Sequence, residues 1–425
     1  MSSRIEPRTG VRAAKLFVSC WLLYSVHWAP YIIREHFPAI AVAEHGTLNV
    51  ERFHGWTEDI FRGPNGGVFI NNNPGASIAG ATALVVARPV LYAIERWNLS
   101  HPAPVSPAVI REEKAVALSV EQRQDMLFLA VAFFTVALVM APASASAAAF
   151  LAVRLAQAGV SAPRAAAAAL LYAFGTPVFF RTAYLNHNLL VAQAGLIAFL
   201  LLYDAARRPV ALRSCWFAGM LAGFAVLCDY SGLLLLAAAG LYSVARAEGR
   251  GRLRRLALYA AGAAPFLLGL LAYQWTAFGN PFLPSQQYMT AVPLTSQGYR
   301  GFGRPDPALL LANFFDPRFG LFVYCPLLGL AFAAPFLRRV PHRLPRRETI
   351  FVLAYFGAFV LFCAANRYSW LQPSTGFRYL VSAVPGLLLL SLQALQVFPA
   401  WLRFLVAVST TLHAWAIAMT HQHHA

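Results

Sequence analysis

Residues 34–77 read REHFPAIAVAEHGTLNVERFHGWTEDIFRGPNGGVFINNNPGAS. They follow the first long apolar run and hold Glu35, Glu44, Glu51, Glu58 and Asp59, five of the 17 acidic residues in the chain. Beyond Met126 nearly everything is apolar segment and short connector. The chain is 59% hydrophobic and only 12% charged, with mean hydropathy +0.55; soluble domains carry about 25% charged residues. Many of its apolar runs approach the roughly 20 residues that cross a bilayer as helix. The expected fold is therefore an all-α polytopic membrane protein. It should have about ten transmembrane helices, with a juxtamembrane or re-entrant helical segment in the first outer loop. Carboxylates gathered in one early loop of such a protein mark where chemistry is done, although any one of them is equally well a solvated loop residue.

The net charge of +17 would suggest nucleic acid on a soluble protein. Here the arginines cluster in connectors between apolar runs, which is the positive-inside pattern, so the partner is the bilayer and nucleic acid is not expected. Arg207, Arg208 and Arg213 form one such group, Arg246, Arg250, Arg252, Arg254 and Arg255 a second, and Arg338, Arg339, Arg343, Arg346 and Arg347 a third. The five cysteines lie in or beside apolar runs without CxxC spacing, so neither a disulfide framework nor a metal site is expected. Basic residues at 4, 8, 12 and 15 precede an apolar run that no small-residue cleavage site follows, which reads as a retained first span.

The chain divides as one integral membrane domain, 1–425. Within it lie an outer loop with juxtamembrane helices (34–125), a helical core (126–278), a second outer loop (279–318) and C-terminal helices (319–425). The first span covers 14–33 with its basic flank inside. Counting back from the basic connectors makes 126–154 run from outside to inside, so 75–94 cannot cross cleanly. That stretch is expected to lie in the interface or to dip in and return; Arg88 and Pro89 in its middle favour this. A hairpin broken at Pro142 would leave arms of only about 15 residues, roughly 22 Å of helix. Later spans are expected at 165–180, 189–203, 256–278, 319–337, 350–364, 379–395 and 401–419. The stretch 215–245 has basic flanks at both ends and reads as two short helices meeting at Asp229-Tyr230-Ser231-Gly232. By this count Asn186, Gly298 and Ser374 face outside, while Arg208, Arg252 and Arg343 face inside.

Several segments carry a family resemblance. Glu35 follows the first span and opens a stretch ending at His45-Gly46. GGVFINNNPGAS, GTPVFFRTAYLNHN, GMLAGFAVLCDYSGLLLL, FFDPRFGLFVYCPLL and STGFRYLVSAVP follow in order. Together these resemble the bacterial integral-membrane glycosyltransferases of the GT-C fold, the group related to protein mannosyltransferases and lipid A aminoarabinose transferases. The resemblance implies transfer of a sugar from a polyprenyl-phosphate donor to a glycan, lipid or protein acceptor. It places that reaction at the outer face of the bacterial cytoplasmic membrane, usually with inversion, and without a nucleotide-sugar pocket or cofactor. Such chemistry needs a carboxylate to take the acceptor's proton, cations to stabilise the departing phosphate, and a groove for the lipid tail.

Glu35 matches the family's acid after the first span, although Arg34 replaces the acid that often precedes it. Asn186-His187 stands where many members carry an aspartate. Asp59, beside Glu58, is the alternative base. Arg378, in Gly376-Phe377-Arg378, is the leading phosphate ligand because a guanidinium grips phosphate oxygens bidentately. Arg181, Arg300, Arg304 and Arg318 are weaker alternatives. His187 is a base, a phosphate donor or a sugar contact, or an interfacial histidine. Asn71, Asn72 and Asn73 are sugar contacts or simply turn formers. Asp229, the only acid well inside an apolar stretch, is functional or a hairpin tip. His421, His423 and His424 read as a tail. Two other classes compete: a transporter or flippase, which predicts inverted repeats and ionisable groups at mid-membrane, and a non-catalytic relative of the transferases.

Overall fold

The computed structural model describes residues 7–29, 34–57, 59–100, 127–204, 210–245, 251–289, 296–337, 340–374 and 377–424. Glu58, Arg207, Arg208, Arg246, Arg250, Arg338, Arg339 and Gly376 lie outside the described residues. Among the described residues the elements are helices joined by loops, with one strand hairpin in the first loop. Among the described residues five helices are long and apolar enough to cross a membrane, and six more are apolar but of 10–17 residues.

Helix α1 covers Pro7–Ser25, beginning and ending earlier than the span expected at 14–33. Arg34 and Glu35 lead into α2, His36–His45. Gly46 ends α2 in the left-handed conformation, φ 66°, and its N–H reaches back to the Ala41 and Val42 carbonyls. The next segment forms an antiparallel pair, β1 (Ile60–Arg62) with β2 (Val68–Ile70), in register Ile60↔Ile70, Phe61↔Phe69 and Arg62↔Val68. The turn RGPNGGV supplies what a short hairpin loop requires: Gly66 at φ 87° and a Gly63 N–H bonded to the Gly67 carbonyl.

Helix α3 is a single run, Gly75–Ser100, with Pro89 inside it. It does not turn back on itself, so the dip-and-return expectation for 75–94 is corrected. Its start lies against the Leu227–Cys228 backbone. Helix α4, Leu127–Gln157, is also continuous. A five-residue π turn at Val136–Met140 precedes Pro142, and such a turn lets a helix absorb a proline without breaking. Phe128 near the start of α4 packs on Phe37, Phe53 and Trp56, so α3 and α4 both begin at the end of the bundle that carries the first loop. Arg154 near the far end of α4 donates to the Tyr203 carbonyl.

Helix α5 (Ala162–Phe174) leads through a one-turn helix, Val178–Arg181, to α6 (His187–Leu202). Helix α6 is buried along almost its whole length, as expected of a helix apolar on every side. It packs against α7 (Leu212–Cys228) and α8 (Gly232–Ala245). The break between α7 and α8 falls on Asp229-Tyr230-Ser231, as the basic flanks required. Helix α9, Gly251–Phe278, takes in Arg252, Arg254 and Arg255 and lies tightly on α7.

The segment 279–318 contains a helix, α10 (Pro307–Phe315), capped by the Asp306 side chain. The span expected at 319–337 is not an α-helix. It is one turn, Leu321–Tyr324, followed by a 3₁₀ helix, Pro326–Phe336, at whose start and near whose end prolines remove backbone donors. At about 2.0 Å per residue that eleven-residue segment is roughly 22 Å long. Helix α11 (Arg346–Ala365), α12 (Val384–Leu395) and α13 (Ala400–His424) complete the chain. The terminal histidines continue α13 instead of forming a separate tail.

Candidate functional site

Local structure delivers one polar group after another to the same end of the bundle. The turn before α2 presents Arg34 and Glu35. The β1–β2 register sets Asn71 opposite Asp59, whose carbonyl accepts the Asn71 N–H at 3.2 Å. Asn186 caps α6 by accepting the Leu189 N–H at 2.8 Å, which puts His187 in its first turn. The α7–α8 break holds Asp229, and the segment entering α12 holds Arg378.

These groups converge on Glu35, which is 3% exposed. Its Oε1 accepts from His187 Nδ1 at 2.7 Å, from Asn72 Nδ2 at 2.7 Å and from Arg34 Nη2 at 3.4 Å. The Ser77 hydroxyl donates to the Glu35 carbonyl at 2.8 Å. Burial alone would raise the Glu35 pKa. Arg34, the His187 hydrogen bond and charge, and Arg378 outweigh it and hold the carboxyl well below the usual carboxylate range. Glu35 is thus an ionised acceptor committed to protein partners, a geometry suited to fixing an imidazole. Arg34 bridges the two acids, with its Nη1 on Asp59 Oδ2 at 3.0 Å. Asn71 Nδ2 donates to Asp59 Oδ1 at 2.6 Å. Asp59 is 32% exposed, the more open of the two expected bases. The pairing of Asp59 with Glu58 lies outside the described residues.

On its other side His187 presents Nε2 to Asp229 Oδ2 at 3.6 Å. Asp229 is anchored by the Ser231 N–H on Oδ1 at 2.8 Å and is 24% exposed. Arg378 lies close enough to Glu35 to stabilise its charge. Its guanidinium sits 4.5 Å from the Tyr379 ring centre and Nη2 donates to the Tyr379 hydroxyl at 2.8 Å. Its Nε is buried without a hydrogen-bond partner among the described residues. Both Arg378 and Tyr379 backbone N–H groups donate to Gln372 Oε1, at 3.0 and 3.1 Å, which fixes the segment.

Of the residues expected from sequence, Glu35, Asp59, His187, Asp229 and Arg378 are gathered here. Asn73 is not free to meet a substrate. It is 4% exposed and donates to the Val226 carbonyl at 2.8 Å, tying the loop to the end of α7. Asn71 and Asn72 face the acids in its place. Among the weaker arginines, Arg181 is fully buried, donates Nε to the Phe377 carbonyl and lies over Phe180 and Tyr184. Arg318 pairs with Asp316 at 2.9 Å. Arg34 was underrated in the sequence; its adjacency to Glu35 was the available signal. The hairpin was missed although its turn residues announce it.

An apolar cleft lies between α6, α8, α11 and α12. Gly195, Phe199, Leu235, Tyr355, Gly386 and Leu389 line it. Ser382, which also lines it, is four residues from Arg378 and donates to the carbonyl of Asn188, the residue after His187. No family model matches this chain, and neither does any curated protein or solved structure.

Proposed function

We propose that this protein transfers a sugar from a polyprenyl-phosphate-linked donor to an acceptor, with inversion, at the outer face of the cytoplasmic membrane. The observation that carries the reading is the convergence of three carboxylates, a histidine and two arginines at one end of a membrane-type helical bundle that also holds an apolar cleft between its helices. In this reading Arg378 holds the donor phosphate with its Nε, which has no hydrogen-bond partner among the described residues, and the lipid tail enters the cleft that Ser382, four residues further on, helps to line. The acids take the proton of the attacking hydroxyl. About ten helices cross the bilayer and α3 lies along its outer surface. The loop end is assigned to the outside because Arg213, Arg252, Arg254, Arg255, Arg343, Arg346 and Arg347, the described arginines of the basic connectors, lie toward the other end. A transporter would want its ionisable groups near the midplane, whereas these sit where the loops meet the helices.

The decisive experiment offers purified protein a polyprenyl-phosphate hexose, with release of polyprenyl phosphate as the readout. Turnover of a nucleotide sugar without lipid carrier would overturn the reading. Arg378→Ala should weaken binding of the lipid donor as well as slow turnover. A hydrogen bond to a charged group is worth about 1.5–3 kcal/mol, so donor Kd should rise by roughly ten- to a hundredfold.

Orientation has its own test. All five native cysteines are buried, which leaves a quiet background for labelling. Gly298 has no room for a side chain, since an added Cβ would lie 2.2 Å from the Phe302 carbonyl oxygen. The neighbouring Tyr299, 64% exposed, is the better probe. Tyr299→Cys should react with an impermeant maleimide from outside and Arg252→Cys only from inside. The opposite pattern would invert the assigned topology.

A further inference from the structure

Glu35 is ionised and therefore only accepts hydrogen bonds, so the 2.7 Å contact places a hydrogen on His187 Nδ1. That leaves Nε2 facing Asp229 Oδ2 at 3.6 Å. In the neutral imidazole this is a lone pair opposite a carboxylate oxygen, an arrangement that a proton between them relieves. The three groups come from three separate segments: the turn before α2, the start of α6 and the α7–α8 break. Asp229 is 24% exposed and His187 5%, so Asp229 is the member a substrate can reach. The Ser231 N–H occupies Oδ1 and directs Oδ2 at the imidazole.

We propose that Asp229 is the catalytic base and that His187, held by Glu35, stores the proton Asp229 removes. This rests on the sugar-transfer reading. The acceptor oxygen attacks the anomeric carbon and forms the new C–O bond. The bond from that carbon to the phosphate oxygen breaks, and its electron pair leaves on the polyprenyl phosphate beside Arg378. The hydroxyl proton goes to Asp229 Oδ2 and then to His187 Nε2. There the imidazolium lies between two carboxylates. Glu35 is a positioning residue in this scheme, because it fixes the Nδ1–H tautomer without meeting the substrate. The charged and titratable groups around the pair are Arg34 and Glu35 before α2, Asp59 beside β1, and Cys228 and Tyr230 flanking Asp229. Cys363 at the end of α11, with Arg378 and Tyr379 before α12, completes the set among the described residues.

The test uses the full-length protein with polyprenyl-phosphate hexose. Asp229→Asn should cut kcat by about 10²–10⁴-fold, the contribution of a placed proton acceptor, with donor Kd unchanged. Asp229→Glu should recover part of that loss, and His187→Gln should change the pH profile of kcat. Imidazole ¹⁵N spectra, with the His187 signal identified by its loss in His187→Gln, should show the Nδ1–H tautomer in the parent and a tautomer mixture in Glu35→Gln. If the parent transfers sugar and Asp229→Asn does so at the same rate, the base assignment is wrong. A parent tautomer of Nε2–H would likewise overturn the relay. If the parent itself releases no polyprenyl phosphate, the sugar-transfer reading fails instead.

Discussion

Glu35→Gln is expected to abolish transfer while the lipid donor still binds. Glutamine keeps the length and shape of the side chain, but it removes the charge on which Arg34, Asn72 and His187 converge. An amide also offers a donor where the carboxylate offered only acceptors, so the imidazole loses the contact that selects its Nδ1–H form. A proton-transfer machine deprived of its orientation loses roughly 10²–10⁴ in rate. Donor Kd should stay near the parent value, because no donor contact is assigned to Glu35. Stability should fall as well. The loss should stay below the roughly 3–5 kcal/mol of a buried charge left unpaired, because Arg34 keeps its closer partner, Asp59, at 3.0 Å.

The pH dependence of that stability has a definite sign. The folded-state pKa of Glu35 lies below its unfolded value, so the native state favours the ionised form. Its contribution is fully present above the unfolded value of about 4.3. It is lost as pH falls through the folded-state pKa, where the native carboxyl takes up a proton. Between pH 5 and 8 this residue should leave stability flat. Unfolding followed in detergent from pH 7 down to 3 should show a steeper acid limb in the parent than in Glu35→Gln. Equal slopes would mean that the carboxylate is not held by these partners.

The second large effect is expected far from any acid. Gly219 and Gly223 on α7 meet α9 backbone to backbone: an added Cβ would lie 2.0 Å from the Tyr259 carbonyl oxygen and 2.6 Å from that of Ala263. Gly262 on α9 faces the Trp216 carbonyl oxygen at 2.2 Å. This is the small-residue packing by which helices in a bilayer approach closely. Gly219→Val must push the helices apart. Overpacking of this kind costs about 1–3 kcal/mol, occasionally more, and thermal unfolding in detergent should register it. Activity should suffer beyond the stability loss. Helix α7 carries Asp229 at its end and offers the Val226 carbonyl that Asn73 grips. Gly219 is ten residues from Asp229, about 15 Å along the helix, yet a shift of about 1 Å in a catalytic group can cost 100-fold. Gly269→Ala is the control, since nothing lies within 4 Å of a Cβ added there. A Gly219→Val protein as stable and active as Gly269→Ala would refute the packing argument.

Much of this was determined by the sequence alone. The apolar runs required a helical membrane-type bundle. The basic flanks of 215–245 required two short helices, with Asp229-Tyr230-Ser231-Gly232 as the place where the chain breaks between them. These are local properties of the chain, written in composition, charge and turn residues within a few positions of one another. Other features were equally local but went unread, notably the β1–β2 turn that sets Asp59 beside Asn71. What only the tertiary structure decided is which polar groups meet. Glu35 and His187 are 152 residues apart, and Asn73 reaches a carbonyl 153 residues away. Their directions follow from how α2, α6 and α7 pack, which periodicity does not encode. Packing sends the third asparagine of one turn into structure and the first two toward the acids. It also commits Glu35 to three donors and leaves Asp229 open. A buried carboxylate is stable only where cations and donors surround it, and those come from segments that the fold alone brings together.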